Sequence, residues 1–345
     1  MKIYIIVIVI LLLIYCLCNK LELFDQNNNI FDFNIKENRK FPFRYFKDAN
    51  NKALPIVALT AFFRNDNDKQ LYYNYVNNGI HIIGVTAYKS FPLKITHDNE
   101  DKYHLTDNFN YYQIKNWLCC FTNKEQYGFT DFHNIIDISE SDFYDIDVSN
   151  NEILEKKYDF IYICNKDDNQ CSINGWNAIN RNYELALKCF PIMINKYNLK
   201  GLAVGRIGCN LEKEYGNKLE TTDFLNWHDL QNKMKQSKFL FVPNIHDASP
   251  RVVSECLIKN IPILMNKNIL CGSKYITDDT GILFENEYDF DNKLYKLLSN
   301  INTMHPQKWW ISNYGISATS IKLRNFLYNI YPDIIKYTQT VSFII

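Results

Sequence analysis

Short apolar runs alternate with amphipathic stretches along most of the chain. ALPIVALTAFF (53–63), GIHIIGVTAY (79–88) and FHNIIDIS (132–139) are rich in β-branched and aromatic residues, which predicts buried strands. DKQLYYNYVNN (68–78) and NFNYYQIKNWLCCF (108–121) space their apolar positions helically and are predicted as the intervening helices. The acidic, polar stretch at 139–157 breaks the rhythm and holds the predicted domain boundary. Beyond it the pattern restarts, with strands predicted at 158–164, 199–206, 238–245, 261–266 and 281–284. Helices are predicted at 181–197, 227–236 and 288–298, and again between 305 and 337. Such alternation predicts an α/β chain of two doubly wound parallel-sheet domains, whose ligands bind at the carboxyl ends of the strands. The expected division is 51–150 and 151–300, followed by C-terminal helices over 301–345.

The first residues read differently. One Lys precedes an uninterrupted apolar run at 3–18, which as a helix spans roughly 24 Å. That predicts a signal-anchor, single-pass helix over residues 1–18. A cleaved signal peptide is the rival, because Cys16 and Cys18 stand at a workable spacing before Asn19. Residues 19–50 are polar and Asn-rich, and are expected to form a stem. Lys2 and Lys20 flank the run, so charge does not set its orientation. Cysteines placed singly in apolar segments (Cys164, Cys189, Cys256) or side by side (Cys119, Cys120) do not read as a disulfide framework. With no N-x-[ST] sequon present, the reading leans toward a reduced, cytosol-facing domain.

Composition narrows the functional classes. A chain of 345 residues that is 47% hydrophobic and 15% aromatic has ample material for two packed cores. Lys+Arg 38 balance Asp+Glu 38, so no overall field draws in nucleic acid. Any anion must meet a local site. The histidines show no zinc-like pairing. DND (66–68) and DID (145–147) have the spacing of a metal-holding acidic pair, but such matches are common in Asp- and Asn-rich segments.

HDASPRVVSECLIKNIPIL (246–264) carries the most chemistry. Ser249 reads as an N-cap with Pro250 at the first helical position. Val252, Val253, Cys256 and Leu257 form the stripe that packs on a sheet, while Arg251 and Glu255 share the opposite face. As a surface pair those two have the poorer order, and Arg251 opposes the helix dipole. An anion bound at the helix start removes both faults.

With TGILF (280–284) downstream, this stretch resembles the C-terminal domain of retaining GT-B glycosyltransferases, the family-4-like group called glycosyl transferases group 1. Their hallmark is two acids in an E-x7-E spacing, here Asp247 and Glu255. The first acid is shortened by one methylene. The resemblance spans about residues 156–300 and implies a GT-B fold and a hexosyltransferase that moves sugar from a nucleoside diphosphate donor, with retention and without a metal cofactor. It implies that Glu255 holds the ribose and that Asp247, Ala248 and Ser249 face the sugar and diphosphate, so Asp247 and Glu255 are the implied catalytic acids. It also implies that Arg181 followed by Asn182, in NGWNAINRNYELA, meets the phosphates, joined by Arg251 and, from the VGRIG turn (204–208), Arg206. The acceptor, whether glycan, lipid or protein, is not implied by any residue. The turn TAFFRND (60–66) lacks the Gly-rich turn frequent in the N-terminal half of this family. Two alternatives remain open: a membrane-anchored nucleotide-sugar or carbohydrate-binding protein without turnover, and a metal-dependent GT-A transferase.

Overall fold

The computed structural model describes residues 40–86, 91–92, 108–122, 124–125, 129, 133–145 and 154–343. The apolar run at 3–18 and most of the expected stem lie outside these residues. Among the described residues no helix is long and apolar enough to cross a membrane. Both sheets of the protein belong to one unit, Phe41–Ile345.

The first sheet begins within the expected stem. Phe43–Asp48 forms β1, antiparallel to β2 (Ala53–Leu59). Phe43, Tyr45 and Phe46 are buried, so this end of the polar segment carries enough apolar surface to join the core. After β2, Asn65 caps α1 (Asp66–Asn77) by accepting the amide of Asp68, and β3 (His81–Val85) returns parallel to β2.

The helix expected at 108–121 does not form. Residues Tyr111–Gln113 make one 3₁₀ turn, and Asn116–Leu118 is a strand, β4, parallel to β3. The reason is tertiary. Trp117 lies across β3 at Gly84, where an added Cβ would come within 2.3 Å of its ring. A parallel strand β5 (Asn134–Ile136) completes this side.

The second sheet follows the alternation closely. Its strands are β6 (Tyr158–Ile163), β7 (Gly201–Val204), β8 (Leu219–Thr222), β9 (Ser237–Val242), β10 (Ile263–Asn266) and β11 (Gly281–Phe284). Between them run α2 (Trp176–Asn180), α3 (Tyr183–Pro191), α4 (Leu211–Tyr215), α5 (Trp227–Lys235) and α6 (Arg251–Leu257), with α7 (Glu287–Asn300) after β11. One face packs Phe160, Ala203, Phe239 and Phe241 against Ala186, Cys189 and Phe190 of α3 and Phe290 and Leu294 of α7. The other packs Ile161, Leu202, Leu240 and Val242 against Val253, Cys256 and Leu257 of α6. All its strand pairs are parallel, in the order β11-β10-β9-β6-β7-β8. The order reverses between β6 and β9, and sheets of this kind open a ligand crevice at the carboxyl ends of the strands there.

The C-terminal segment is more than helices. After α8 (Pro306–Asn313), α9 (Gly315–Ile330) and α10 (Pro332–Ile335), the strand β12 (Val341–Phe343) pairs antiparallel with β1. Leu323 and Leu327 of α9 bury against Phe46, Ile56, Ile83 and Leu118 of the first sheet. The first sheet thus reads β12-β1-β2-β3-β4-β5, parallel from β2 to β5 and antiparallel at the β12-β1 side.

The cysteine reading is corrected too. Cys171 and Cys209 form a disulfide that joins the loop after β6 to the turn after β7. Their separation of 38 residues leaves no local sequence pattern that announces the bridge.

Candidate functional site

The loops that follow β6 and β9 flank the point where the strand order reverses, and the two are tied together. Asn180, the last residue of α2, accepts the amides of Ile245 (3.2 Å) and His246 (3.3 Å) on its carbonyl. The next residue, Arg181, places Nη1 on the Asp247 carboxylate, with side chains 32% and 12% exposed. Asn244 Nδ2 (3.3 Å) and the amide of Ser249 (3.2 Å) also donate to that carboxylate, and the Asp247 carbonyl accepts the amide of Cys271 (3.0 Å). Asp247 is therefore fixed at main chain and side chain. Arg181 uses one of its five N–H donors there, and among the described residues no other hydrogen bond of its guanidinium is seen. Asn182 adopts a left-handed conformation (φ 48°) and makes the sharp entry into α3.

The first domain reaches the same loop. Cys120 Sγ donates to the Ala248 carbonyl at 2.7 Å, and the amide of Ser141 donates to Ser249 Oγ at 3.1 Å. The hydroxyls of Ser141 and Ser249 lie 2.8 Å apart. Ser249 consequently does not cap α6. Pro250 stands at the N-cap and Arg251 is the first helical residue. The expected N-cap fails because the Ser249 hydroxyl is engaged across the two domains.

The helical wheel of α6 is corrected in one respect. Arg251 is exposed as expected, but Glu255 is only 2% exposed. Helix α5 covers that flank. Gln231 Nε2 donates to Glu255 Oε2 at 3.0 Å, and the Trp227 indole donates to Oε1 at 3.4 Å. A carboxylate has about four acceptor sites, and these two donors use two of them. Arg251 and Glu255 do not act as a surface pair.

Arg206 stands apart from this group. It is fully buried, with its guanidinium 3.8 Å over the Tyr183 ring and Nη2 against Cys164 Sγ. Its Nε and Nη1 find no hydrogen-bond partner among the described residues. The structure thus gathers Arg181, Asn182, Asp247, Ala248 and Ser249 in the loops after β6 and β9 and puts Arg251 and Glu255 on the helix beside them. It sets Arg206 beneath α3. Sequence reasoning passed over Asn180, Trp227, Gln231, Cys120 and Ser141, because each acts through a contact distant in sequence. Only the half-exposed Trp227 at the start of a mostly polar helix gives any local signal.

The D-x-D spacing at 66–68 does not build a metal centre. Asp68 is buried and paired with Arg64 at 3.0 Å, while Asp66 lies exposed on the first turn of α1. Of the second motif only Asp145 is described. Among the described residues no cluster of three His, Cys, Asp or Glu is arranged to hold a metal ion.

No family model matches the sequence, and no curated protein matches it. Solved structures do match in fold. TarM superimposes with a TM-score of 0.52 at 16% identity over 72% of this chain and 51% of its own. This chain therefore spans about half the length of TarM. A sucrose-phosphate synthase from Thermosynechococcus elongatus gives 0.52 at 10% identity, covering 77% of this chain and 72% of its own. The lipopolysaccharide outer core galactosyltransferase WaaB gives 0.51 at 14%, covering 77% and 73%. The fold is that of the GT-B glycosyltransferases. At these identities the likeness is one of fold, and the chemistry rests on the residues of the crevice.

Proposed function

We propose that the protein is a glycosyltransferase that takes a sugar from a nucleoside diphosphate donor and passes it to an acceptor with retention at the anomeric carbon. One observation carries this reading. Asp247, clamped by Arg181, and Glu255, held by α5, stand at the carboxyl edge of the second sheet of a GT-B fold, where the strand order reverses. Glu255 is the proposed acceptor of the ribose hydroxyls, and Asp247 the proposed neighbour of the sugar. As the bond from the anomeric carbon to the diphosphate oxygen breaks, negative charge grows on the leaving group, and Arg181 and Arg251 are the proposed cations that stabilise it. In this reading the two arginines do the work that a metal ion does in other transferases.

The test is a thermal-shift screen of nucleoside diphosphate sugars, followed by a donor-hydrolysis assay of the best ligand. At least one UDP- or GDP-linked sugar is expected to stabilise the protein, by about 2.7 kcal/mol at a hundredfold excess over Kd. Glu255→Ala should abolish that shift, and EDTA should leave hydrolysis intact. A protein that no such ligand stabilises does not have this site. Binding without turnover in the second assay would favour a sugar-nucleotide-binding role instead.

A further inference from the structure

The disulfide Cys171–Cys209 lies at the edge where the donor loops gather. Its Cα atoms are 5.5 Å apart and both residues are half-buried. The free thiols among the described residues, Cys119, Cys120, Cys164, Cys189, Cys256 and Cys271, are all buried. Burial pushes Cys119 and Cys256 up to about 12, where the reactive thiolate is scarce. Among the described residues, the sulfur that is not buried is that of this bridge.

The bridged loop leads to Arg181. On the Cys171 side, Asp167 caps α2, accepting the amides of Asn177 (2.8 Å) and Ala178 (3.0 Å), and α2 leads directly to Arg181 and its bond to Asp247. On the Cys209 side, the Lys166 amide donates to the Gly205 carbonyl (2.9 Å) and Lys166 Nζ to the Ile207 carbonyl (3.2 Å). Loop 164–175 is thus pinned at its start by the β7 turn, in its middle by the disulfide and at its end by the α2 cap.

We propose that the Cys171–Cys209 bridge is a redox-sensitive strap that positions Arg181 for the donor diphosphate, so that reduction by a dithiol weakens diphosphate binding. The proposal rests on the donor-site reading above. A thiolate of the dithiol attacks one sulfur of the bridge and forms a mixed disulfide. The second thiol of the reductant then displaces the protein sulfur and closes a cyclic disulfide. Two electrons and two protons pass to Cys171 and Cys209, which end as thiols. The loop keeps its Asp167 contacts but loses its central tie, so ordering it becomes part of the cost of binding.

Calorimetric titration of UDP, GDP, uridine and guanosine, with hydrogen exchange read across 165–182 without nucleotide, tests the strap. Three samples are compared: untreated protein, protein reduced with dithiothreitol, and the double variant Cys171→Ser, Cys209→Ser. Reduction is expected to weaken diphosphate binding about three- to tenfold, to leave nucleoside binding unchanged and to raise exchange across the loop. The double variant should match the reduced protein and no longer respond to dithiothreitol. Unchanged exchange and unchanged diphosphate affinity on reduction overturn the strap alone. Equal losses for nucleoside and diphosphate overturn the positioning role. If neither diphosphate binds untreated protein, the donor-site reading falls and the strap loses its ligand with it.

Discussion

At the scale of single residues, Glu255 poses the sharpest energetic question. A carboxylate that is 2% exposed has given up most of its hydration, and here the compensation comes from Gln231 and Trp227. A hydrogen bond to a charged group contributes about 1.5–3 kcal/mol, and the 3.0 Å bond from Gln231 is the shorter of the two. Gln231→Leu keeps the volume and removes the donor, together with a buried Oε1 that has no partner among the described residues, so it should destabilise the protein by about 1 kcal/mol. Urea unfolding measures this directly. A midpoint that does not move would show that Glu255 is not held as a buried anion, and would weaken its assignment to ribose. Asp247 differs in kind. Its partners include a cation, Arg181, whose fork has more donors than this one bond uses, which suits a group proposed to exchange contacts with a ligand rather than to hold a helix pair together.

At the scale of elements, legibility in the sequence tracks how local each cause is. Strands β2, β3, β6, β7, β9, β10 and β11 were readable because burial on both faces leaves continuous apolar runs. The candidate site is one that a spacing suggests: Asp247 and Glu255, eight positions apart, fall on one loop and its helix. Segment 108–121 was not readable, because its Ile, Trp and Leu fit a helix as well as a strand, and only the docking of Trp117 over Gly84 decides between them. Strand β8, LETT, is too polar to stand out, β12, VSF, is only three residues long, and the exposure of Glu255 could not be known without α5. The Gly84 contact is open to test. Gly84→Ala would place a methyl within 2.3 Å of the Trp117 ring, at a site sealed between sheet and aromatic cluster. Overpacking of this kind typically costs about 1–3 kcal/mol, which should appear as a lower urea midpoint with an unchanged slope. No loss would mean that Trp117 moves freely, and the tertiary account of β4 would fail.

At the scale of the whole molecule, the two sheets meet through a buried ion pair. Asp142, on the 3₁₀ turn Glu140–Phe143 between β5 and β6, is 1% exposed and faces Lys274 Nζ at 2.8 Å, with Lys274 17% exposed on the turn after β10. Ser139 N and the Tyr275 hydroxyl also donate to Asp142, and Lys274 reaches Asp137 at 3.1 Å. The same turn carries Ser141, which holds Ser249 in the candidate donor loop, so the latch and the site share a support. Burial alone would lower the Lys274 value, but the adjacent Asp142 carboxylate, with Asp137 behind it, more than reverses this and holds the ammonium above its ordinary range. A lysine value raised by folding contributes stability that is complete below the unfolded value of about 10.4 and is lost as pH climbs from there through the folded value. Removing one partner of a buried pair costs roughly 3–5 kcal/mol, and the other donors to Asp142 place Lys274→Met near the lower end, at about 3 kcal/mol. The gap between wild type and this variant in urea unfolding should therefore stay flat from about pH 7 to 9.5 and narrow only in stronger alkali. A double-mutant cycle with Asp142→Asn should return a coupling well above the ~1 kcal/mol ceiling of an exposed pair. A coupling below that level would mean that packing rather than the latch joins the sheets. The donor-induced thermal shift of Lys274→Met should then equal that of wild type, whereas a working latch makes it smaller, because the Ser249 loop would have to be ordered by the ligand itself.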